Sequence, residues 1–267
     1  MNLLTNKTAI ITGSSTGIGK GIAVLFAQLG AHVIVTSRTM AHAAQVADQI
    51  LADGGKATPC AFNLEHPEAI PDLLSTALTT TSRIDILVNN ALSRPSIPSG
   101  ALQDMASSQL QRGVTVNLTN VLALTAAAYP HLKKSAGVII NIGSAVINRH
   151  TVGVPLYTIL KGALAQTTKV LAAEWAESRI RVNQINPGFV RTDSIMTRQT
   201  NENARMIVDH FEKLHPLGRV GEVKDIATLT AFLASNEANW ITGAVIDIDG
   251  GFSIQGANFP QHNNQSK

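Results

Sequence analysis

The stretch Thr8–Gly19 reads T-A-I-I-T-G-S-S-T-G-I-G, and its order of apolar run, glycine turn and helix start decides the fold. Thr8–Thr12 is a short apolar run of the kind that fills a strand covered on both faces. Gly13, Gly17 and Gly19 follow at the spacing G-x-x-x-G-x-G, and a helix-length segment, Gly19–Leu29, comes next. Strand, glycine-rich turn and helix N-terminus in that order suit a dinucleotide pyrophosphate, because backbone N–H groups and the helix dipole both face the anion. Gly13 permits the turn, Gly17 lets N–H groups approach phosphate, and Gly19 lets helix and strand pack closely. A glycine-rich turn alone can be purely structural; its place after the first apolar run argues for a nucleotide.

The alternation continues outward from there. Further apolar runs are His32–Thr36, Ala57–Phe62, Ile84–Asn89, Gly137–Ile142, Arg181–Ile185 and Ala244–Ile248. Between them lie helical segments: Ala41–Ala52, Glu68–Thr80, Met105–His131, Leu156–Glu177 and Val223–Leu233. Strand–helix alternation with right-handed crossovers predicts an α/β fold, a doubly wound parallel sheet of about seven strands with helices on both faces. No linker, repeat or low-complexity block interrupts it, so residues 1–267 read as a single Rossmann-type domain with a polar, patternless tail over 252–267.

Composition narrows the function. Hydrophobic residues make up 45% and charged residues 15%, enough for a large core and little for disorder. The low charge also suggests surface buried between subunits. Net charge is +3, and no basic block exceeds Lys133–Lys134, which argues against nucleic-acid binding. Cys60 is the one cysteine, so an intrachain disulfide and a zinc–cysteine site are both excluded; no metal site is expected. No apolar run approaches the ~20 residues of a membrane span. A strand beginning at Lys7 leaves six residues ahead of it, so no signal peptide is expected and the predicted location is cytoplasmic.

The second strand bears on the choice of nucleotide. NAD-binding folds place an Asp or Glu ~20 residues after the glycines, on the ribose hydroxyls. Here the strand ends Val35-Thr36-Ser37-Arg38, and the first acidic residue of the chain is Asp48. Arg38 can form charge-assisted bonds to a 2′-phosphate, with Ser37 and Thr39 as hydroxyl donors. The expectation is NADP(H) in preference to NAD(H); the plainer reading of Arg38 is a solvated loop residue.

Tyr157 and Lys161 stand in the run Y-T-I-L-K, and Ser144 lies thirteen residues before the tyrosine. Residues four apart on a helix share a face, where an ammonium can lower a phenol's pKa. An unperturbed phenol titrates near ~10, too high for proton exchange at neutral pH, and lysine beside tyrosine corrects that mismatch.

Taken together these motifs resemble the classical short-chain dehydrogenase/reductase family over essentially the whole chain. The matching stretches are Thr12–Gly19, Asn89-Asn90-Ala91-Leu92, Asn117 in T-V-N-L-T-N, Ser144, Tyr157 to Lys161, Pro187-Gly188-Phe189-Val190-Arg191-Thr192, and Gly218-Arg219 through Ile241-Thr242-Gly243 to Asp249-Gly250-Gly251. The resemblance implies hydride transfer between nicotinamide and a carbonyl or carbinol carbon of a small molecule. Tyr157 would exchange the proton, Lys161 would tune the tyrosine and bond the nicotinamide ribose, and Ser144 would bond the substrate oxygen. Asn117 would hold a relay water; an asparagine that kinks its helix is the competing reading, and Asn120 is a rival. Cofactor contacts would come from Gly13, Ser15, Thr16, Gly17, Ile18, Gly19, Ser37, Arg38, Asn63, Leu64, Asn90, Ala91, Pro187, Gly188, Val190 and Thr192, together with Tyr157 and Lys161.

Two positions depart from the family pattern. Leu92 replaces a glycine, and would be strained if that position needs a positive φ. Asn63 replaces an aspartate that meets adenine, where the amide carbonyl can still accept. The resemblance places substrate contacts after Asn90, between Ser144 and Tyr157, and in a mobile lid over about 192–215. Those stretches offer Leu92, Ile97, Val146, Ile147, Val154, Phe189, Ile195 and Met196, with Arg94, Arg149 and His150 for an acidic group or for solvent. The leading expectation is a carbonyl reductase or alcohol dehydrogenase. The alternatives are a 3-oxoacyl-carrier-protein reductase, docking its carrier on Lys133, Lys134 and Arg179, and a nucleotide-sensing protein without turnover. The family's usual assembly implies a homotetramer or homodimer built on the Tyr157 helix and the C-terminal strand region.

Overall fold

The computed structural model describes residues 3–149, 151–192 and 201–256, apart from the side chains of 201, 203 and 204. At its centre is β1 (Thr8–Ile11), buried throughout. It pairs in parallel with β2 (His32–Ser37) on one side and β4 (Ile86–Asn89) on the other. Outward from these lie β3 (Lys56–Ala61), and β5 (Val138–Ile142), β6 (Arg181–Pro187) and β9 (Val245–Ile248), giving the order β3-β2-β1-β4-β5-β6-β9. Every pairing in this sheet is parallel. The chain winds from β1 to β3, then returns across β1 to β4. Such a reversal opens a crevice at the carboxyl ends of the two central strands.

Successive residues of β1 serve opposite faces. Ile11 joins a core layer with Ile22 and Phe26 of α1 (Gly17–Gln28), Val46 and Ile50 of α2 (Met40–Ala52), and Ile226 of α8 (Val223–Ala234). Ile10 joins the other layer, with Leu73 of α3 (Ile70–Thr81), Leu124 of α5 (Asn120–Ser135) and Leu164 of α6 (Pro155–Glu174). Burial on both faces is why the strand runs carry so few polar residues. Among the described residues no helix is long and apolar enough to cross a membrane, and no cluster of His, Cys, Asp and Glu could hold a metal.

Three expectations need correction. The run Met105–His131 is not one helix: α4 (Ser107–Val114) passes through a π turn at Thr115–Thr119 into α5. The edge strands are not buried throughout, since Lys56 and Ala61 of β3 and Asp247 of β9 are exposed. β6 is not apolar, because Asn183, Gln184 and Asn186 are all buried on it. The lid segment contains a helix, α7 (Asn201–Leu214), with Val208 buried against the body and Phe211 stacked on Phe189 at 4.0 Å. Its positions 193–200 lie outside the described residues. A short parallel pair, β7 (Val190–Arg191) and β8 (Gly221–Glu222), flanks α7.

Candidate active site

The glycine turn leaves β1 at Ile11 and is tied on three sides. Gly13 N–H donates to Thr36 Oγ1 of β2 at 2.9 Å, and Thr36 Oγ1 donates in turn to Ile11 O at 3.0 Å. Asn90, just past β4, donates through Nδ2 to Thr12 O and Gly13 O at 2.8 and 3.1 Å. Thr12 Oγ1 accepts from the N–H groups of Asn90 and Ala91 at 2.9 and 3.0 Å. Gly13 and Gly17 have φ of +65° and +54°, a region where a side chain is strained. A Cβ on Gly19 would stand 2.5 Å from Asn90 Nδ2, so glycine there permits the helix to meet the turn. Thr16 precedes α1 with no side-chain cap, and no acid lies in the first turn. The helix start therefore offers uncapped N–H groups and a favourable dipole to an anion. This cradle fits a pyrophosphate.

At the end of β2, Ser37 is buried and Arg38 exposed, and Arg38 enters no ion pair among the described residues. Thr39 caps α2 by accepting from His42 N–H at 3.4 Å. Asn63 Oδ1 accepts from Glu65 N–H at 3.1 Å, a local turn that occupies the amide carbonyl expected to face adenine. Leu64 is buried, and its carbonyl accepts from Asn120 Nδ2 at 2.9 Å.

Ser144 follows β5, and α6 brings Tyr157 and Lys161 back across the same strand end. The Ser144 hydroxyl lies close enough to the Tyr157 phenol to act on its titration. Burial pushes that phenol above its ordinary range, while the Ser144 hydroxyl and the positive charge of Arg94 act the other way. Lys161 is buried, and its Nζ donates to Ile142 O at 2.6 Å. Burial alone brings its pKa down to about 8. Lys161 Nζ stands 5.9 Å from the Tyr157 ring centre without bonding the phenol, and the Arg94 guanidinium covers the same ring at 5.6 Å. Arg94 thus adds a second positive charge beside the Tyr157 ring, which the motif did not indicate.

Asn117 lies in the π turn. Its Oδ1 accepts from Ser93 N–H at 2.8 Å, and its Nδ2 donates to Ser96 Oγ at 2.7 Å and Gly113 O at 3.1 Å. It makes none of the hydrogen bonds of Ser144, Tyr157 or Lys161. Ser93 Oγ also donates to Glu65 Oε1 at 2.6 Å, and Glu65 is paired with Arg112 at 2.8 Å. Asn117 and Glu65 together fasten the loop that carries Arg94. Leu92, on the same loop, has no positive φ, so the expected strain is absent.

A cleft of about 630 Å³ joins these parts. Of the expected residues, Ile18, Asn90, Ser144, Tyr157, Lys161, Pro187, Gly188, Val190 and Thr192 line it, with Leu92, Arg94, Val146, Val154 and Phe189. Ile97 and Ile147 do not line it, while His150, Ile195 and Met196 lie outside the described residues. Arg149 does not line it either: its Nη1 donates to Phe252 O at 2.8 Å, and its guanidinium lies 4.2 Å from the Phe252 ring centre. Phe211 and Phe252 complete an aromatic wall that sequence reasoning missed, for they stand in segments whose composition is polar. His215 was also missed as an anchor: buried, it accepts from Phe189 N–H at 3.2 Å and bonds Phe211 O through Nδ1 at 2.5 Å. Lys133, Lys134 and Arg179 precede β5 and β6, at the amino ends of the strands, opposite this cleft.

Comparison with known proteins agrees with this arrangement. A family model described as enoyl-(acyl carrier protein) reductase matches residues 13–253. A 3-oxoacyl-(acyl-carrier-protein) reductase of Vibrio cholerae is 37% identical over 250 residues, 93% of this chain and 98% of the relative. The structure of a 7alpha-hydroxysteroid dehydrogenase with NADH and 7-oxo glycochenodeoxycholic acid superposes with a TM-score of 0.85 at 32% identity, covering 94% of this chain and 95% of that one. L-Sorbose reductase from Gluconobacter frateurii, complexed with NADPH and L-sorbose, gives a TM-score of 0.88 at 26% identity, covering 96% and 100%.

Proposed function

The chain belongs to the classical short-chain dehydrogenase/reductase family of oxidoreductases, and on that premise we propose that it is an NADP(H)-dependent reductase of ketones, or oxidant of the matching secondary alcohols. The observation that carries the proposal is the convergence of Ser144, Tyr157 and Lys161 on one cleft that also opens onto Ile18 and Asn90 of the glycine-turn region. When bound, the nicotinamide supplies or accepts the hydride. The uncapped start of α1, with Gly13, Ser15, Thr16, Gly17, Ile18 and Gly19, holds the pyrophosphate. Ser37 and Arg38 receive the 2′-phosphate, with no carboxylate near them in sequence to oppose it. Asn63, Leu64, Asn90, Ala91, Pro187, Gly188, Val190 and Thr192 complete the cofactor wall.

Tyr157 gives its proton to the carbonyl oxygen during reduction and takes it back during oxidation. Ser144, beside the phenol on the same cleft, steadies the same oxygen as negative charge develops there. Lys161 sits beneath the ring as a buried ammonium whose lowered pKa makes it ready to release a proton near neutral pH. Asn117 serves the site by holding the loop wall through Ser93 and Ser96.

Carrier-linked β-ketoacyl thioesters are the second substrate reading, favoured by the 37% identity to the Vibrio cholerae reductase. The deciding experiment follows NADPH and NADH oxidation against ketones, diketones and β-ketoacyl thioesters. Turnover with NADPH is expected, and the best substrate defines the pocket. Stoichiometric NADPH binding with a silent panel would replace the enzyme reading with a nucleotide sensor.

A further inference from the structure

Arg94 stands at the cleft without an acidic partner. Arg94 and Lys161 are the cations among the lining residues, and no aspartate or glutamate is among them. Lys161 is buried and bonded to Ile142 O, whereas Arg94 is exposed. Glu65, the acid bonded to the Arg94 loop, is already matched by Arg112. Arg94 itself enters no ion pair among the described residues. Its guanidinium lies 5.6 Å from the centre of the Tyr157 ring, beside the place where a substrate oxygen must meet the phenol. The loop is held from behind at Ser93 and Ser96, so this charge is presented from a fixed backbone. Leu92, Val146, Val154, Phe189, Phe211 and Phe252 give the cleft an apolar side.

Resting on the oxidoreductase reading above, we propose that Arg94 selects the substrate: a ketone, or the matching alcohol, with an apolar body and a carboxylate a few atoms from the reacting carbon. A guanidinium presents a planar fork of donors that fits a carboxylate in two parallel bonds. With Lys161 buried and bonded to Ile142 O, Arg94 is the one exposed positive charge among the lining residues, and it matches one negative charge. A phosphate dianion would bring a second charge that the wall does not answer. A neutral ligand would leave the fork without an anionic partner. Sites built around such a polar anchor reject analogues that lack the matching group.

The test compares an aryl keto acid with its methyl ester, using NADPH and initial rates. The wild type is expected to favour the acid in kcat/KM by on the order of tenfold to a hundredfold, the range for a charge-assisted bond. Arg94→Gln should bring the acid-to-ester ratio to within about threefold of unity, and Arg94→Lys should restore part of it, keeping the charge but losing the fork. A wild-type ratio near one, or a ratio that survives Arg94→Gln, overturns the assignment. Turnover of the ester without acid preference sinks the role of Arg94 and leaves the oxidoreductase reading standing. Silence with every carbonyl sinks that reading instead. Calorimetry of the keto acid with the NADPH complex then decides Arg94: tighter binding to wild type than to Arg94→Gln supports it, and equal or absent binding refutes it.

Discussion

Tyr157 is held between opposing influences. Burial raises its phenol, and the Ser144 hydroxyl and the Arg94 charge work against that rise. Replacing it with phenylalanine keeps the ring under Arg94 and removes the proton. Tyr157→Phe should cut kcat by at least about a hundredfold, the scale of general acid–base catalysis, with NADPH affinity nearly intact by fluorescence titration. Unchanged turnover would remove Tyr157 from the mechanism. Lys161 carries a second expectation. Its folded value of about 8 lies below the ~10.4 of a solvated lysine. Between those values the unfolded chain binds more protons than the folded one, so stability rises with pH across the window. Below the lower value both states are protonated and the desolvation cost stands in full. Relative to Lys161→Met, the unliganded wild type should therefore gain about 2 kcal/mol in urea melts between about pH 7 and about pH 10. A constant difference would mean that Lys161 is not desolvated. Arg38→Glu, at the exposed end of β2, should move the NADPH-to-NADH ratio of kcat/KM towards NADH by at least about tenfold, on the scale of a charge-assisted contact. No movement would remove Arg38 from the phosphate site.

At the scale of elements, the glycine turn and the π turn position the chemistry. A Cβ on Gly19 would overlap Gly13 O and crowd Asn90 Nδ2. Gly19→Ala should cost about 1–3 kcal/mol in thermal or urea unfolding, as overpacking does, and weaken NADPH binding with it. An unaltered melt and affinity would show that the turn can move aside. The elements themselves were legible in the sequence where local composition suffices: Val- and Ile-rich runs became the buried strands, and T-G-S-S-T-G-I-G became the turn between β1 and α1. What escaped depends on contacts distant in sequence. The π turn adds residues to a helical repeat without interrupting it, so Met105–His131 reads as continuous. α7 is polar in composition, and its packed face of Val208, Phe211 and His215 emerges only once Phe189 and Phe252 are placed beside it. Arg94 and Arg149 look alike on paper. They are told apart because Phe252, 103 residues away from Arg149, takes one of the two guanidinium groups.

Over the whole molecule, the run along α6 is two-sided. Leu164, Ala165 and Ala172 are buried, but Ile159 and Val170 are 55% and 50% exposed. Val114 and Leu122 add exposed apolar surface along α4 and α5, and Trp240 is 96% exposed. Among the described residues β9 has a neighbouring strand on one side only. These surfaces accord with the expected homodimer or homotetramer. Light scattering should give a mass of two or four chains, and Val170→Asp on α6 should lower it if that helix forms the contact. A monomeric wild type would leave the apolar stripe without a subunit partner. The sheet order also imposes a calendar on synthesis. The glycine turn emerges early, yet the Asn90 side chain that fastens it to β4 is 78 residues behind Thr12. A nascent chain that stops short of Asn90 has the glycine turn without its clasp. β6 waits for β9 across 61 residues, with its ladder open meanwhile. A ribosome that stalls in that interval displays a bare parallel edge, the surface on which chaperones or other stalled chains would pair.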